Sequence, residues 1–353
     1  MASSMQDFQN SLRGTLNWFL DVRSELIDLE GGHRAPALAS HLASGYRVLD
    51  IEPCEVAPTS IALKPFNSTA YLSDDRDYRL PIAELYDFVN REMREHVSQV
   101  ILLSSLVTLD YCRGWSDIDA YVVVKDSTAR DGRKLNELRK LCLRSWEFFQ
   151  RITPLQHHGF IVVTEADLRS YPTSCMPPAV FEQSLSLLAG SENISMRVRP
   201  GDVGSLRSLK ERADALRAGL TTGELRHHPY QGRYLKAGYA NADDAMYQLF
   251  CMLGYVMTTP AYLMDGVGRG CYKGDSFALA RPYFSDQAWA VLEKASTVRR
   301  SWQEKEGTSY KLNAIPTWVR DILGEHYFED WLLLLEEAIA QIEAHARSQT
   351  LGA

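Results

Sequence analysis

Residues 114 to 124 read Gly-Trp-Ser-Asp-Ile-Asp-Ala-Tyr-Val-Val-Val, and this stretch decides the fold. Its tail, Tyr121-Val122-Val123-Val124, is a β-branched apolar run of strand length. In an extended chain alternate side chains share a face, so Asp117 and Asp119 project together while Ile118 points into an apolar layer. Two anions side by side repel each other. A hard divalent cation such as Mg²⁺ relieves that repulsion, and it is usually held by one or two carboxylates together with substrate phosphates. The pair therefore predicts a metal site and phosphate chemistry. Asp-x-Asp alone is weak evidence, because a hairpin whose acids merely solvate an edge shows the same pattern, so the flanking sequence has to supply the context.

Upstream lies the apolar run Val100-Ile101-Leu102-Leu103, followed by Ser104-Ser105 and the turn-like Asp110-Tyr111-Cys112-Arg113-Gly114. The order is strand, short connection, strand. On the residues from Ser104 to Val124 the chain resembles the DNA polymerase β-like nucleotidyltransferase superfamily. The signature of that superfamily is Gly-Ser, a short connection, then Ser-Asp-x-Asp and an apolar run. The resemblance implies that Ser105 is the motif serine, that Ser116 precedes the first acid, and that Asp117 and Asp119 bind the metal. It places Ser104, Ser105 and Ser116 at the nucleotide. Ser104 stands where the motif has glycine, which would let backbone N–H groups come closer to a triphosphate.

Nucleotidyl transfer of this kind usually employs a third carboxylate on the adjacent strand, to hold a metal or to take the proton from the attacking hydroxyl. The corresponding slot here is His158, in His157-His158-Gly159-Phe160-Ile161-Val162-Val163, and no carboxylate follows before Glu165. An unperturbed imidazole titrates near neutrality, so His158 is expected to act as a general base, with flanking carboxylates raising its pKa and favouring the charged form. Two other readings stand beside this one. The histidine marks a catalytically silent nucleotide-binding or regulatory protein, or the His157-His158 pair is simply satisfied by backbone groups.

The whole chain sets bounds on these readings. Its 353 residues suffice for two domains, and 45% hydrophobic with 24% charged residues is ordinary for a globular protein. Lys and Arg number 38 against 45 Asp and Glu, a net charge of −7, so the basic footprint of a long nucleic-acid binder is missing. A small acceptor fits better. The six cysteines, at 54, 112, 142, 175, 251 and 271, form no zinc-like spacing, and reduced cytoplasmic thiols are expected. The N-terminal residues lack a basic segment followed by an apolar core, and no apolar run is long enough to span a bilayer, so neither secretion nor a membrane is expected.

Periodicity predicts helices over 6–30, ending at Gly31-Gly32, and over 35–44, 80–97, 130–151 and 173–190, with mixed strands and loops over 45–80. A strand is predicted from Gln156 to Val163, and Pro200-Gly201 marks a boundary. Beyond it helices are predicted over 205–220, 238–258, 275–281, 285–303 and 316–346. Residues 246 to 300 resemble the helical C-terminal domain of aminoglycoside adenylyltransferases, in Leu249-Phe250-Cys251-Met252, in Tyr272-Lys273-Gly274-Asp275-Ser276-Phe277-Ala278 and in Trp289 to Arg300. That resemblance implies that Lys273 serves the nucleotide phosphates.

The expected fold is α+β: a small mixed nucleotidyltransferase sheet flanked by helices, then an all-helical C-terminal domain. The expected domains are an N-terminal helical or mixed extension (1–78), a catalytic domain (79–200) and a helical domain (201–353). The expected activity is Mg²⁺-dependent transfer of NMP from an NTP, with ATP the first candidate, to a hydroxyl of a small acceptor. Catalysis would rest on Asp117, Asp119 and His158. A toxin-like enzyme that modifies tRNA or protein, and a non-catalytic helical scaffold, are the remaining alternatives. Three other signals carry less weight. Gly266-Val267-Gly268-Arg269-Gly270 has no preceding strand and reads as a loop between helices, Arg91 and His96 match a ribonuclease spacing by chance, and Asp243-Asp244 with Glu182 form an acidic wall only if they meet.

Overall fold

The apolar runs flanking the acidic pair form the centre of a small mixed sheet. The structure, a computed structural model, describes residues 2–21, 24, 34–49, 51, 53–69, 76–103, 105–108, 111–112, 115–152, 156, 158–173, 175–199, 203–222, 224–226, 234–236, 245–307 and 315–352. The chain divides into two units. The first comprises Met1–Tyr111, Ser116–Pro172 and Phe181–Pro200, and the second Cys112–Trp115, Thr173–Val180 and Gly201–Ala353.

In the first unit the strands are β1 (Thr59–Ala62), β2 (Lys64–Pro65), β3 (Val97–Leu102), β4 (Ala120–Val124), β5 (Ile161–Thr164), β6 (Leu185–Ser186) and β7 (Asn193–Met196). Five of them make one sheet in the order β2-β6-β3-β4-β5, while β1 and β7 pair separately. β3 is antiparallel to β4, and β4 is parallel to β5. A parallel pair needs a long crossover, and the helix between those two strands provides it. The helices of this unit are α1 (Ala2–Leu20), α2 (Arg34–Val48), α3 (Arg76–Phe88), α4 (Ser105–Thr108), α5 (Asp126–Ala129), α6 (Gly132–Ile152) and α7 (Glu165–Arg169).

Val100, Leu102, Ile118, Ala120, Val122, Val124 and Val162 share a core with Leu16 and Phe19 of α1, Leu42 of α2, Leu85 of α3 and Leu135 and Phe149 of α6. The alternate residues Ile101, Tyr121, Val123 and Val163 are equally buried, with Tyr121 packed edge-on against Phe181 and its hydroxyl 3.3 Å from that of Tyr171. Both faces of the central strand are covered. That is why its sequence is continuously apolar rather than alternating.

Several expectations change here. Residues 1–78, read from the sequence as an extension, contribute α1 and α2 to the same core as the sheet. α1 ends at Leu20, and Gly31-Gly32 lie outside the described residues. The helix expected over 173–190 is absent from the described residues there. Pro178–Gln183 is a short 3₁₀ turn, and Leu185–Ser186 pairs with β3, with Leu187 N–H donating to Val100 O at 2.7 Å. Its leucines look helical by spacing but serve the sheet, where β6 lies between β2 and β3. β5 begins at Ile161, after His158, not at Gln156.

The second unit holds α8 (Gly204–Thr222), α9 (Ala245–Gly266), α10 (Lys273–Ala280), α11 (Asp286–Glu306), α12 (Thr317–Leu323) and α13 (Tyr327–Gly352), with the hairpin β8 (Glu224–Arg226) and β9 (Tyr234–Lys236). Its core includes Leu216, Leu263, Leu292, Trp302, Leu323 and Leu334. The hairpin was not expected from the pattern. The single helix expected over 316–346 is split, because Gly324 adopts φ +81°, a left-handed conformation that ends α12. Gly268, at φ +70°, turns the predicted loop between α9 and α10. Among the described residues no helix is long and apolar enough to cross a membrane. Cys54, Cys112, Cys142, Cys175 and Cys271 take part in no disulfide.

Candidate metal centre

Asp117 and Asp119 lie in extended backbone immediately before β4, rather than inside it as the sequence suggested. On one side the sheet ladder reaches one residue further than the strand, with Leu103 N–H donating to Asp119 O at 2.8 Å. On the other side β5 has not yet begun, and the side-chain amide of Gln156 takes its place. Gln156 Oε1 accepts from Ile118 N–H at 2.9 Å, and Nε2 donates to Ile118 O at 3.0 Å and to His158 O at 2.7 Å. Held from both sides, Ile118 is fully buried. Alternation then turns both carboxylates to the opposite face, away from the helical core and on the same side as Tyr121.

His158 closes the group. Its Nδ1 lies 2.8 Å from Gly159 O, and because a carbonyl only accepts, Nδ1 carries the hydrogen. Nε2 is thereby left to face the carboxylates, 3.6 Å from Asp117 Oδ2 and 3.6 Å from Asp119 Oδ1. The peptide behind the ring is anchored in turn, since Gly159 N–H donates to Oδ2 of buried Asp21 at 3.0 Å. Asp21 directly follows α1, so the N-terminal helix helps to fix this histidine. Burial works against a charge on His158. The Asp117 and Asp119 carboxylates outweigh it and hold the pKa well above the ordinary 6.5.

A raised pKa favours the imidazolium when no cation is present, and its single positive charge offsets one of the two carboxylates. In that state it has no lone pair to offer, so service as a general base requires the proton to leave first. The donor set also suits a divalent ion. One ligating atom from each of Asp117, Asp119 and His158 lies within 4.8 Å of the others, the one such group found among the described residues. A proton on Nε2 and a cation shared by the group are alternative ways of satisfying the same charges.

The other residues singled out from the sequence are spread more widely. Ser116 is buried beside Asp117, and Ser105 is half-buried at the start of the single turn α4. Ser104, His157 and Asp243-Asp244 lie outside the described residues. Lys273 is the first residue of α10 in the second unit, where its carbonyl accepts from Ser276 Oγ at 2.6 Å. Glu182 sits in the 3₁₀ turn, and His96 is buried in the turn before β3. Glu165, the next carboxylate after His158 in sequence, is the first residue of α7 rather than part of β5, and its Oε2 accepts from Asp126 N–H at 2.8 Å. Gln156 and Asp21 were not singled out from the sequence. The one available signal was that Gln156 is a polar residue two positions before the candidate histidine, at the mouth of an apolar strand.

Compared with known proteins, the chain matches no family model, no curated protein and no solved structure.

Proposed function

We propose that the chain is a metal-dependent nucleotidyltransferase, which moves NMP from an NTP to a hydroxyl of a small acceptor and releases pyrophosphate. The observation that carries this reading is the convergence of Asp117, Asp119 and His158 at the end of a β3-β4-β5 sheet, with ligating atoms within 4.8 Å of one another. What supports the reading beside this is a small mixed sheet with the Ser-Asp-Ile-Asp segment immediately before β4. A divalent ion, Mg²⁺ in the sequence-based expectation, would supply charge neutralisation at the phosphates and a more acidic acceptor hydroxyl when bound.

The chain's own residues have defined tasks in this reading. Asp117 and Asp119 put two negative charges on one side of the strand, which repels a bare triphosphate and makes nucleotide binding depend on a cation. Ile118, pinned by Gln156 and the core, keeps those carboxylates aligned. Ser105 and Ser116 offer hydroxyl donors near the same segment. In the reaction the acceptor oxygen forms a bond to the α-phosphorus, the bond from that phosphorus to the pyrophosphate oxygen breaks, and the hydroxyl proton passes to solvent water.

The test begins with a thermal-shift screen of NTPs with divalent ions, followed by mass spectrometry of hydroxyl-bearing acceptors incubated with the best nucleotide. Asp117→Asn and Asp119→Asn should each abolish transfer with an unchanged circular dichroism spectrum. Full activity in both variants would overturn the assignment. A silent, regulatory nucleotide binder is the second reading, favoured by the histidine in the third position. It predicts ion-dependent binding with no pyrophosphate release for any acceptor.

A further inference from the structure

We infer that His158 is itself a ligand through Nε2, and that it makes the site selective for a first-row transition ion over Mg²⁺. This rests on the reading of Asp117, Asp119 and His158 as a metal centre, and it departs from the Mg²⁺ expected from the sequence.

The first ground is donor chemistry. Mg²⁺ is hard and demands a nearly regular octahedron of oxygens, whereas imidazole nitrogen suits softer ions such as Zn²⁺, Fe²⁺ and Co²⁺. Among the described residues no third carboxylate joins the group, and Glu165 accepts from Asp126 N–H. The group thus presents two carboxylates and one nitrogen.

The second ground is the way the ring is held. A metal-binding histidine characteristically donates its remote N–H to a carbonyl or carboxylate, which fixes the tautomer and aims the other nitrogen at the ion. His158 has this support, with Nδ1 donating to Gly159 O at 2.8 Å. The support is itself braced, by Asp21 on Gly159 N–H and by Gln156 on His158 O.

The third ground is spacing. Ligands about 2.1 Å from a shared ion stand roughly 3 to 3.5 Å from one another in octahedral or tetrahedral sites. His158 Nε2 is 3.6 Å from an oxygen of each carboxylate, close to that spacing, and all three ligating atoms lie within 4.8 Å of one another.

The test is calorimetric titration of nucleotide-free protein with Zn²⁺, Co²⁺ and Mg²⁺, for the wild type, His158→Gln and His158→Asp. Nearly every mixed nitrogen and oxygen site ranks Zn²⁺ above Mg²⁺, so the diagnostic is the change in the ratio of affinities. His158→Gln should lose at least about 10- to 100-fold in Zn²⁺ and Co²⁺ affinity, the range seen when even an outer supporting group is removed. His158→Asp should shift the Zn²⁺-to-Mg²⁺ ratio towards Mg²⁺ by about tenfold or more, as oxygen replaces nitrogen.

A proton NMR spectrum of the Co²⁺-loaded wild type gives an independent readout that needs no variant to fold. The Nδ1 proton, protected by Gly159 O, should appear as a strongly shifted, solvent-exchangeable resonance. Co²⁺ binding without that resonance, or an affinity ratio unmoved in His158→Asp, would overturn the inference. Absence of binding by any divalent ion would overturn the metal reading as well. Selective binding without NMP transfer would leave this inference standing and remove the proposed reaction.

Discussion

The side-chain amide of Gln156 pairs with the peptide groups of Ile118 as a neighbouring strand would, accepting from N–H at 2.9 Å and donating to C=O at 3.0 Å. It occupies the sheet position that β5 backbone has not yet reached, and its second donor bond, to His158 O, ties both halves of the site to one buried residue. Gln156→Leu, close in volume, would strand a buried N–H and C=O. It should cost about 1 to 3 kcal/mol for each group left unpaired. Urea unfolding measures the loss. A loss below about 0.5 kcal/mol, half the usual net worth of one hydrogen bond, would mean that water or a shifted β5 replaces the amide.

Protonation of His158 links the site to stability. Folding raises its pKa well above 6.5, because the two carboxylates outweigh the burial that disfavours its charge. A raised folded pKa means that the native state binds the proton more tightly. The stabilisation is then complete below the unfolded value of about 6.5 and is lost as pH rises through the higher folded value. Ion-free protein should therefore become less stable across that window, and His158→Gln should flatten the dependence.

Ion binding should run the other way with pH. An ion that takes Nε2 must displace its proton, so apparent affinity should rise by up to about tenfold per pH unit while His158 is protonated in the free protein. Calorimetry in two buffers of different ionisation enthalpy counts the proton released. Zero protons released, with unchanged affinity between pH 6 and 8, would contradict displacement.

Asp167 is a buried acid beside β5 with several partners. It accepts from Gln9 Nε2 at 2.6 Å, from Thr164 N–H and Oγ1 at 2.9 Å each, and from Arg13 Nη1 at 3.3 Å, in a capping box that starts α7. Asp167→Ala leaves buried donors and the Arg13 charge without their acceptor and should cost about 3 to 5 kcal/mol. Asp167→Asn, which keeps the shape, should cost less. Equal losses for the two would show that the charge rather than the shape of this side chain holds α1 against this corner.

Two glycines should respond oppositely to alanine. A Cβ on Gly132 would lie 2.8 Å from Ser40 Cα, so α6 can approach α2 this closely only without a side chain there. Gly132→Ala should cost about 1 to 3 kcal/mol through the clash. Nothing lies within 4 Å of a Cβ on Gly14, inside α1, and Gly14→Ala should gain about 0.5 to 1 kcal/mol from helix propensity. Chemical denaturation of the pair checks both signs.

What the sequence disclosed follows from where the physics is local. The run Tyr121-Val122-Val123-Val124 could only be a strand covered on both faces, and α6 carries its apolar residues on one regular stripe, so both were legible. The meeting of Asp117 with Asp119 was legible from period-two alternation, and that of His158 with both from a neighbouring apolar strand. The use of Leu185 and Leu187 in the sheet was hidden, since their spacing is that of a helix and only the pairing with β3 decides otherwise. Gln156 and Asp21 were hidden for a related reason. Each acts by completing backbone hydrogen bonds of residues distant in sequence, and no local pattern encodes that.

The central claim is that the Asp117–Asp119 pair binds a nucleotide through a divalent ion, and calorimetric titration with a non-hydrolysable ATP analogue tests it most directly. The account predicts binding to the wild type only when a divalent ion is present, and loss of that binding in Asp117→Asn and in Asp119→Asn. Equal binding with and without the ion, unchanged in both variants, would contradict it.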